Sequence, residues 1–239
     1  MRLNILIACE ESQAITIEFR KLGHRAFSCD LQQCSGGHPE WHIMGDCLPL
    51  LPGRCSFYTS DGKLHNIKNQ WDIVIGHPPC TYLSKAGANR MFHPPGIINQ
   101  QRFELAMQAK EFFLSILYCD CERVAVENPT PLHIVGLPKP SCVIQPYEFG
   151  DPYCKRTLLW LKNLPPLIPT CHVVNFRPWV QAHCGGMPAN TPKMRSKTFP
   201  GIARAIAQQW SAFVIAEKKQ KQNKNGDEVA TQLCAYSGT

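Results

Sequence analysis

Apolar and polar residues recur along the chain with two periods, one typical of buried strands and one typical of helices. Residues 3–8 form a short apolar run that predicts a first strand, and Ile15, Phe19 and Leu22 then follow at helical spacing up to Gly23. Further strands are predicted at residues 24–30, 71–76, 123–129 and 157–161, and further helices at residues 103–119 and 201–219. Strands that alternate with helices predict an α/β fold with a doubly wound, mostly parallel sheet. Such sheets bind ligands at the carboxyl ends of their strands.

Three segments do not follow this alternation. Residues 51–70 are polar and rich in turn-forming residues, and residues 163–195 carry many prolines and glycines. The segment that begins at residue 218 has the composition of a disordered tail. We therefore expect regular structure mainly outside these three segments.

The composition is that of a globular protein without a membrane span. Hydrophobic residues make up 44% of the 239 residues, enough for one large domain or a domain with a small annex. No apolar run reaches the roughly 18 residues of a membrane helix, and the first residues show no signal-peptide pattern. We therefore expect a cytoplasmic protein whose 13 cysteines are reduced thiols. The net charge of +7 permits an acidic partner such as nucleic acid, although a spread excess of this size is also ordinary.

The turn after the first strand indicates which cofactor the sheet can bind. Its sequence is Ala8-Cys9-Glu10-Glu11-Ser12. The turn has no glycine and two carboxylates, so it is a poor cradle for the phosphates of NAD or ATP. A cationic ligand without phosphates, such as S-adenosylmethionine, would tolerate it. Asp30 ends the second predicted strand, where an acid can bind ribose hydroxyls, and Asp46 is a further acid near a strand end. Each acid taken alone is more often an ordinary capping residue.

A cysteine follows the strand at residues 71–76 and is a candidate nucleophile. Pro78 and Pro79 restrict the backbone before Cys80, which keeps a reactive group in place. A buried structural thiol is the usual alternative. Glu127 and Asn128 stand at the carboxyl end of another predicted strand. A thiol and a carboxyl group that face one cleft suit addition of a thiolate to an electron-poor ring while the acid protonates a ring nitrogen.

These motifs together resemble those of the DNA (cytosine-5)-methyltransferase family, in the compact form carried by bacteriophages and prophages. Pro79-Cys80 matches the family's Pro-Cys motif, and Ser84 matches a serine that commonly follows it. Glu127-Asn128 matches the Glu-Asn motif. Residues 149–161 and 195–210 resemble the family's later basic motif and its closing helix. The resemblance covers about residues 3–215, with the motifs in the family's order.

The resemblance implies a Rossmann-like class I methyltransferase fold that binds S-adenosylmethionine and methylates C5 of cytosine in double-stranded DNA, with the target base flipped out. It implies a catalytic domain of residues 1–162 and 195–217, a reduced target-recognition segment of residues 163–194, and a tail of residues 218–239. We expect a monomer, in a bacterial or phage-infected cell. The catalytic residues would be Cys80, Glu127, Lys155 and Arg156; the cofactor would contact Ala8, Cys9, Glu10, Ser12, Asp30, Asp46 and Pro78; and the DNA would contact Pro79, Ser84, Lys85, Arg90 and Asn128.

The chain also departs from the family's pattern. The usual Phe-x-Gly-x-Gly turn is absent, the Glu-Asn motif is followed by Pro129, and the family's Gln-x-Arg-x-Arg positions hold Tyr153, Lys155 and Thr157. Positive charge is nevertheless retained there, because Arg156 is adjacent. The recognition segment is short, which predicts a very short recognition sequence or little sequence preference.

Other functions stay open at this stage. The sequence from His77 to Cys80 resembles the Asp/Asn-Pro-Pro-aromatic motif of enzymes that methylate exocyclic amines, although it leaves the Glu-Asn pair unexplained. The same C5 chemistry on RNA or on a free nucleotide is a further possibility. A non-catalytic DNA-binding protein on a degenerate methyltransferase scaffold would need neither the thiol nor the acid. A zinc site is a weaker candidate, with the ligands Cys171, His172, His183 and Cys184.

Overall fold

A computed structural model describes residues 1–85, 88–93, 96–179 and 197–236, with side chains described up to residue 223. The strands are β1 (Asn4–Ala8), β2 (Arg25–Asp30), β3 (His42–Met44), β4 (Cys55–Tyr58), β5 (Leu64–Ile67), β6 (Ile73–Gly76), β7 (Phe92–His93), β8 (Ile97–Ile98), β9 (Val124–Asn128), β10 (Cys142–Ile144), β11 (Tyr153–Cys154), β12 (Thr157–Lys162) and β13 (Arg177–Pro178). The helices are α1 (Ala14–Lys21), α2 (Ala88–Met91), α3 (Gln100–Leu117) and α4 (Pro200–Tyr236). Short 3-10 turns occupy Pro39–Trp41, Leu48–Leu50, His133–Val135 and Pro146–Glu148.

Seven strands form one central sheet in the order β10-β12-β9-β6-β1-β2-β3. The five strands from β9 to β3 run parallel, whereas β12 and β10 add antiparallel at one edge. The strand order reverses between β6 and β1, the arrangement of a doubly wound sheet. The prediction of an α/β, Rossmann-like, mostly parallel fold is confirmed, and the predicted strands at 24–30, 71–76, 123–129 and 157–161 correspond to β2, β6, β9 and β12.

Both faces of the sheet are buried, which explains why its strands are apolar at successive positions. Leu6 of β1 packs in one core, together with Phe113 and Ile116 of α3. Ile5 on the opposite face packs in a second core, together with residues of α1 and with Trp210 of α4. The helix predicted at 103–119 begins three residues earlier, because the side chain of Asn99 accepts a hydrogen bond from the N–H of Arg102 and caps its first turn.

The closing helix extends beyond its predicted end. The tail from residue 218 was expected to be disordered, whereas α4 continues to Tyr236. Charged contacts bind the start of this extension to the sheet: Lys218 pairs with Asp72, and Lys221 Nζ lies 2.8 Å from Glu122 Oε1. The buried guanidinium of Arg123 also binds Glu217, at 2.7 Å. Composition alone does not show such long-range ion pairs. In the part of the chain that the structure describes, no helix combines the length and apolar character needed to cross a membrane.

Two segments that were expected to lack regular structure contain short strands. β4 and β5 pair as an antiparallel hairpin within residues 51–70, with Asp61-Gly62 in the connecting turn. The Asp-Gly pair is a known hairpin signal, and the prediction missed it. In the proline-rich segment, Leu164 and Leu167 are buried against the second core, and β13 pairs with β11. The first part of the expected recognition segment is therefore packed on the sheet domain.

Candidate active site

The candidate site lies at the carboxyl ends of the parallel strands, on both sides of the point where the strand order reverses. Cys9 follows β1 and His77 follows β6, and the N–H of His77 donates to the carbonyl of Ala8 at 2.9 Å. Glu127 lies near the end of the neighbouring β9, and Asp30 ends β2. Parallel pairing thus brings together residues that are up to 118 positions apart in the chain, from Cys9 to Glu127.

The segment that carries Cys80 is tied to the segment that follows β9. The side-chain amide of Asn128 donates to the carbonyl of Pro78 at 3.0 Å, and Asn128 is 1% exposed. The N–H of Lys85 donates to the carbonyl of Thr130 at 3.0 Å. The N–H of Ser84 donates to the carbonyl of Cys80, also at 3.0 Å, and closes a tight turn after the thiol. These bonds and the two prolines hold Cys80 in register with the Glu-Asn pair.

The thiol of Cys80 and the carboxyl group of Glu127 influence each other electrostatically. Desolvation by surrounding protein atoms raises the pKa of the Cys80 thiol, and the negative charge of Glu127 raises it further. The positive charge of Lys155 and a hydrogen bond with Ser84 lower this pKa in part. Cys80 is nevertheless an exposed residue, so a reagent or substrate can reach it. The charges of Glu127 and Lys155 therefore both act on the Cys80 thiol.

The carboxyl group of Glu127 has a histidine as its direct partner. His77 Nδ1 lies 3.2 Å from Glu127 Oε2, and the two side chains are 9% and 21% exposed. Burial disfavours the charged carboxylate, but the hydrogen bond with His77 and the positive charge of Lys155 outweigh it, so the pKa of Glu127 lies below its usual value. Glu127 is therefore held mainly as a carboxylate.

A cavity opens beside these groups, between the sheet and the start of α4. His77, Glu127 and Lys155 contribute polar side chains to its wall, and Phe199 contributes an aromatic ring. Lys155 Nζ lies 5.8 Å from the centre of the Phe199 ring, close enough for a cation–π contact. The segment before α4 therefore forms part of the cavity wall, and a role of the closing helix in cofactor binding stays a prediction.

The turn after β1 contains two residues other than glycine in a backbone conformation that glycine usually adopts. Cys9 and Gln13 adopt left-handed backbone conformations, with φ of 60° and 59°. The carboxylate of Glu10 is buried and accepts hydrogen bonds from the N–H groups of Ile15 and Thr16, at 2.6 and 3.3 Å, and from the Thr16 hydroxyl at 2.7 Å. The Glu10 side chain therefore caps α1 and is not directed toward the open edge. A ligand would contact the backbone of this turn.

Asp30 and Asp46 lie on the same edge, at the ends of β2 and after β3. Asp30 Oδ1 accepts from the N–H of Gln32 at 2.9 Å, and Asp46 Oδ1 accepts from the N–H of Leu48 at 3.0 Å. Desolvation raises the pKa of the nearby Cys29 thiol, and the negative charges of both aspartates raise it further. The two carboxylates are therefore close to a common point, and each uses one oxygen in a capping contact. Both aspartates therefore have an ordinary capping role, and their contacts with a cofactor stay a prediction.

The remaining predicted contact residues differ in their exposure. Pro79, Lys85, Arg90 and Arg156 are exposed, Ser12 is half-buried, and Ser84 is buried. Among the zinc candidates, His183 and Cys184 lie outside the described residues. Within residues 1–85, 88–93, 96–179 and 197–223, no group of His, Cys, Asp or Glu side chains has the arrangement of a metal site.

The sequence argument did not assign a role to His77. It precedes Pro78 directly, so its position at the end of β6 was available as a signal, but its pairing with Glu127 depends on the parallel register of β6 and β9. Lys197 and Phe199 were also missed as cavity residues. They precede a helix that is distant in sequence, and only the packing of α4 brings them to the sheet edge.

The opposing influences on Cys80 lead to a paired titration test. Lys155→Met removes a positive charge and should raise the Cys80 pKa, whereas Glu127→Gln removes a negative charge and should lower it. The iodoacetamide reaction of the Cys80 peptide, followed by mass spectrometry against pH, should shift to higher pH in the first variant and to lower pH in the second. Lys139→Met, at an exposed lysine, is the control. Equal profiles for all variants would contradict the shared environment.

Comparison with known proteins gives only distant similarity, and it is to solved structures. No family model matches the chain, and no curated protein matches it. Among solved structures, the chain is similar to a candidate DNA modification methyltransferase encoded within an E. coli prophage, with 13% sequence identity and a TM-score of 0.42. The match covers 72% of this chain and 52% of that chain, so this chain spans about half the length of that protein. So low an identity and TM-score assign no activity to the chain, whose proposed chemistry rests on the geometry of the site.

Proposed function

We propose that the protein is an S-adenosylmethionine-dependent DNA methyltransferase that modifies C5 of cytosine. The observation that carries this proposal is the electrostatic environment shared by Cys80, Glu127 and Lys155 at the edge of the sheet where the parallel strands end, and Glu127 and Lys155 also line a cavity. Binding of DNA alone would require neither the thiol nor the acid. Methylation of an exocyclic amine would leave the thiol without a role.

The cofactor would bind along the carboxyl ends of β1, β2 and β3. Asp30 would accept hydrogen bonds from the ribose hydroxyls and Asp46 would bind the adenine, and an acidic edge suits a cofactor without phosphates. The backbone of residues 8–12 and the Pro78 residue would also contact the cofactor. When bound, this cofactor supplies an electrophilic methyl group. The side chains of Arg90 and Arg156 are exposed and would bind the phosphates of the DNA.

The side chains would act on the target base as follows. The Cys80 thiolate adds to C6 of cytosine, and Glu127 donates a proton to N3, so that electron density reaches C5. After C5 is methylated, loss of the C5 proton lets the thiolate leave. The positive charge of Lys155 increases the thiolate fraction. A base in a duplex must leave the stack before a thiol can reach its C6 atom, so the substrate would be a flipped cytosine.

The test is the identity of the methylated product. The protein is incubated with S-adenosylmethionine labelled in its methyl group and with duplex DNA, RNA or cytidine nucleotides, and the digested nucleosides are separated. We expect label in 5-methylcytosine from DNA. Label in N4-methylcytosine or N6-methyladenine would show an amine methyltransferase, and label only in RNA or nucleotides would reassign the substrate. Binding of cofactor or DNA without transfer to any substrate would show a non-catalytic protein.

A further inference from the structure

We propose that His77 is a positioning residue of this site: its Nδ1 orients the carboxyl group of Glu127, and the two side chains share the proton that Glu127 delivers to the cytosine ring. This inference rests on the proposed function and adds a residue to it. His77 is the direct hydrogen-bond partner of Glu127, at 3.2 Å, and both line the same cavity.

The contact orients Glu127 because it lies within hydrogen-bond distance, is partly buried and is anchored at both ends. His77 lies in the turn after β6, where its N–H is fixed to the carbonyl of Ala8. Glu127 lies in β9, which pairs with β6. The contact between Nδ1 and Oε2 therefore fixes one carboxyl oxygen relative to the sheet and leaves the other for the substrate. A small loss of such orientation in an active site reduces the rate strongly.

The second role of His77 is to supply the proton that Glu127 donates. Glu127 is held mainly as a carboxylate, whereas the proposed step needs it to donate a proton to N3. The proton therefore has to reach Glu127 from a neighbouring group. His77 Nε2 is buried and has no hydrogen-bond partner within the described residues, and an imidazole nitrogen that makes no hydrogen bond can take up a proton.

The transfer balances within the pair. A doubly protonated His77 gives its Nδ1 proton to Glu127 and is left neutral with the proton on Nε2. Glu127 then gives a proton to N3 as the Cys80 sulfur forms its bond to C6. When that bond breaks, the N3 proton returns through Glu127 to Nδ1. The proton lost from C5 leaves separately, so His77 and Glu127 end the cycle as they began it.

Charged groups from four elements lie near His77. Glu127 of β9, Lys155 before β12 and Lys197 before α4 line the same cavity as His77, and the buried Glu10 belongs to the turn after β1. The pKa of Glu10 is raised by burial, and the charge of His77 acts in the opposite direction. The pH dependence of the site therefore reflects these side chains together with His77, and variants must be compared with Glu10, Lys155 and Lys197 unchanged.

The test combines two substitutions in a double-mutant cycle. Asn places an amide N–H where the His77 Nδ1–H lies, so His77→Asn keeps an orienting donor but cannot carry the second proton, whereas His77→Ala removes both. In single-turnover methylation of DNA, we expect a loss of about 10-fold for His77→Asn and about 100-fold for His77→Ala. Because His77 acts through Glu127, adding His77→Asn to Glu127→Gln should change the rate less than 2-fold, about the error of such a measurement.

The pH profile separates proton sharing from packing. The rate of the natural chain should fall at low and high pH, and His77→Asn should lose one of these two limbs while its KM for DNA stays the same. Equal losses in the natural and Glu127→Gln backgrounds, or an unchanged profile, would overturn the inference. A natural chain that methylates nothing would instead refute the proposed function. If both His77 variants fail to fold by circular dichroism, the profile of Glu127→Gln still decides, because the same limb should be lost.

Discussion

Cys80→Ser is expected to reduce methyl transfer to DNA by about 10⁴-fold or more, because the hydroxyl of serine is a far weaker nucleophile than a thiolate. The substitution replaces sulfur by oxygen in an exposed residue, so the fold should be unaffected. Cofactor binding should change little, since the predicted cofactor contacts lie along β1, β2 and β3. The measurement is incorporation of labelled methyl groups into duplex DNA under single-turnover conditions.

Cys171→Ser is the matched control. Cys171 is also an exposed cysteine, and it pairs with Phe149 in an isolated bridge away from the cavity walls. We expect this variant to keep the activity of the natural chain. Substantial activity in Cys80→Ser, or equal losses in both variants, would exclude a role for Cys80 as nucleophile.

Glu127→Gln is expected to reduce the rate by about 10²- to 10³-fold, the range typical of general acids. Glutamine keeps the size of the side chain and can still bind His77, but it cannot protonate N3. The same substitution should make Cys80 more reactive toward iodoacetamide, because the negative charge of Glu127 raises the Cys80 pKa. If Glu127→Gln makes the Cys80 thiol more reactive but methyl transfer slower, the slower rate results from the loss of N3 protonation and not from a less reactive thiol.

Glu104→Gln provides the control for this second substitution. Glu104 is an exposed carboxylate on α3, where it accepts a hydrogen bond from the side chain of Gln100. Its replacement should leave both the alkylation profile and the methylation rate unchanged. If Glu127→Gln behaved like Glu104→Gln in methyl transfer, N3 would have to be protonated by another group.

The sequence predicted five of the seven strands of the main sheet, because these strands are buried on both faces and carry apolar runs, but it did not predict the short edge strands β3 and β10. It did not predict the β4–β5 hairpin, whose strands are half exposed and whose only strong signal is the Asp61-Gly62 turn. The extension of α4 was missed for a different reason. Polar residues are stabilised there by ion pairs with distant residues such as Glu122, and local composition carries no information about such contacts.

The residues of the candidate site could be predicted where the residue type and its position at a strand end were sufficient to select them. Cys80 and Glu127 could be selected because a thiol and an acid at two parallel strand ends must share one edge of the sheet. The direction of a side chain was not predictable: Glu10 appeared to belong to the cofactor turn, but its carboxylate caps α1. The partnership of His77 with Glu127 likewise depends on the register of β6 and β9.

The account depends most on a covalent bond between one sulfur and the target base. Duplex DNA that contains 5-fluorocytosine, mixed with S-adenosylmethionine, should trap this bond because fluorine blocks the final elimination. We expect a denaturation-resistant protein–DNA complex whose cross-linked peptide contains Cys80, formed by the natural chain and by Cys171→Ser and absent in Cys80→Ser. A natural chain that methylates DNA without forming this complex, or a cross-link at another cysteine, would contradict the account.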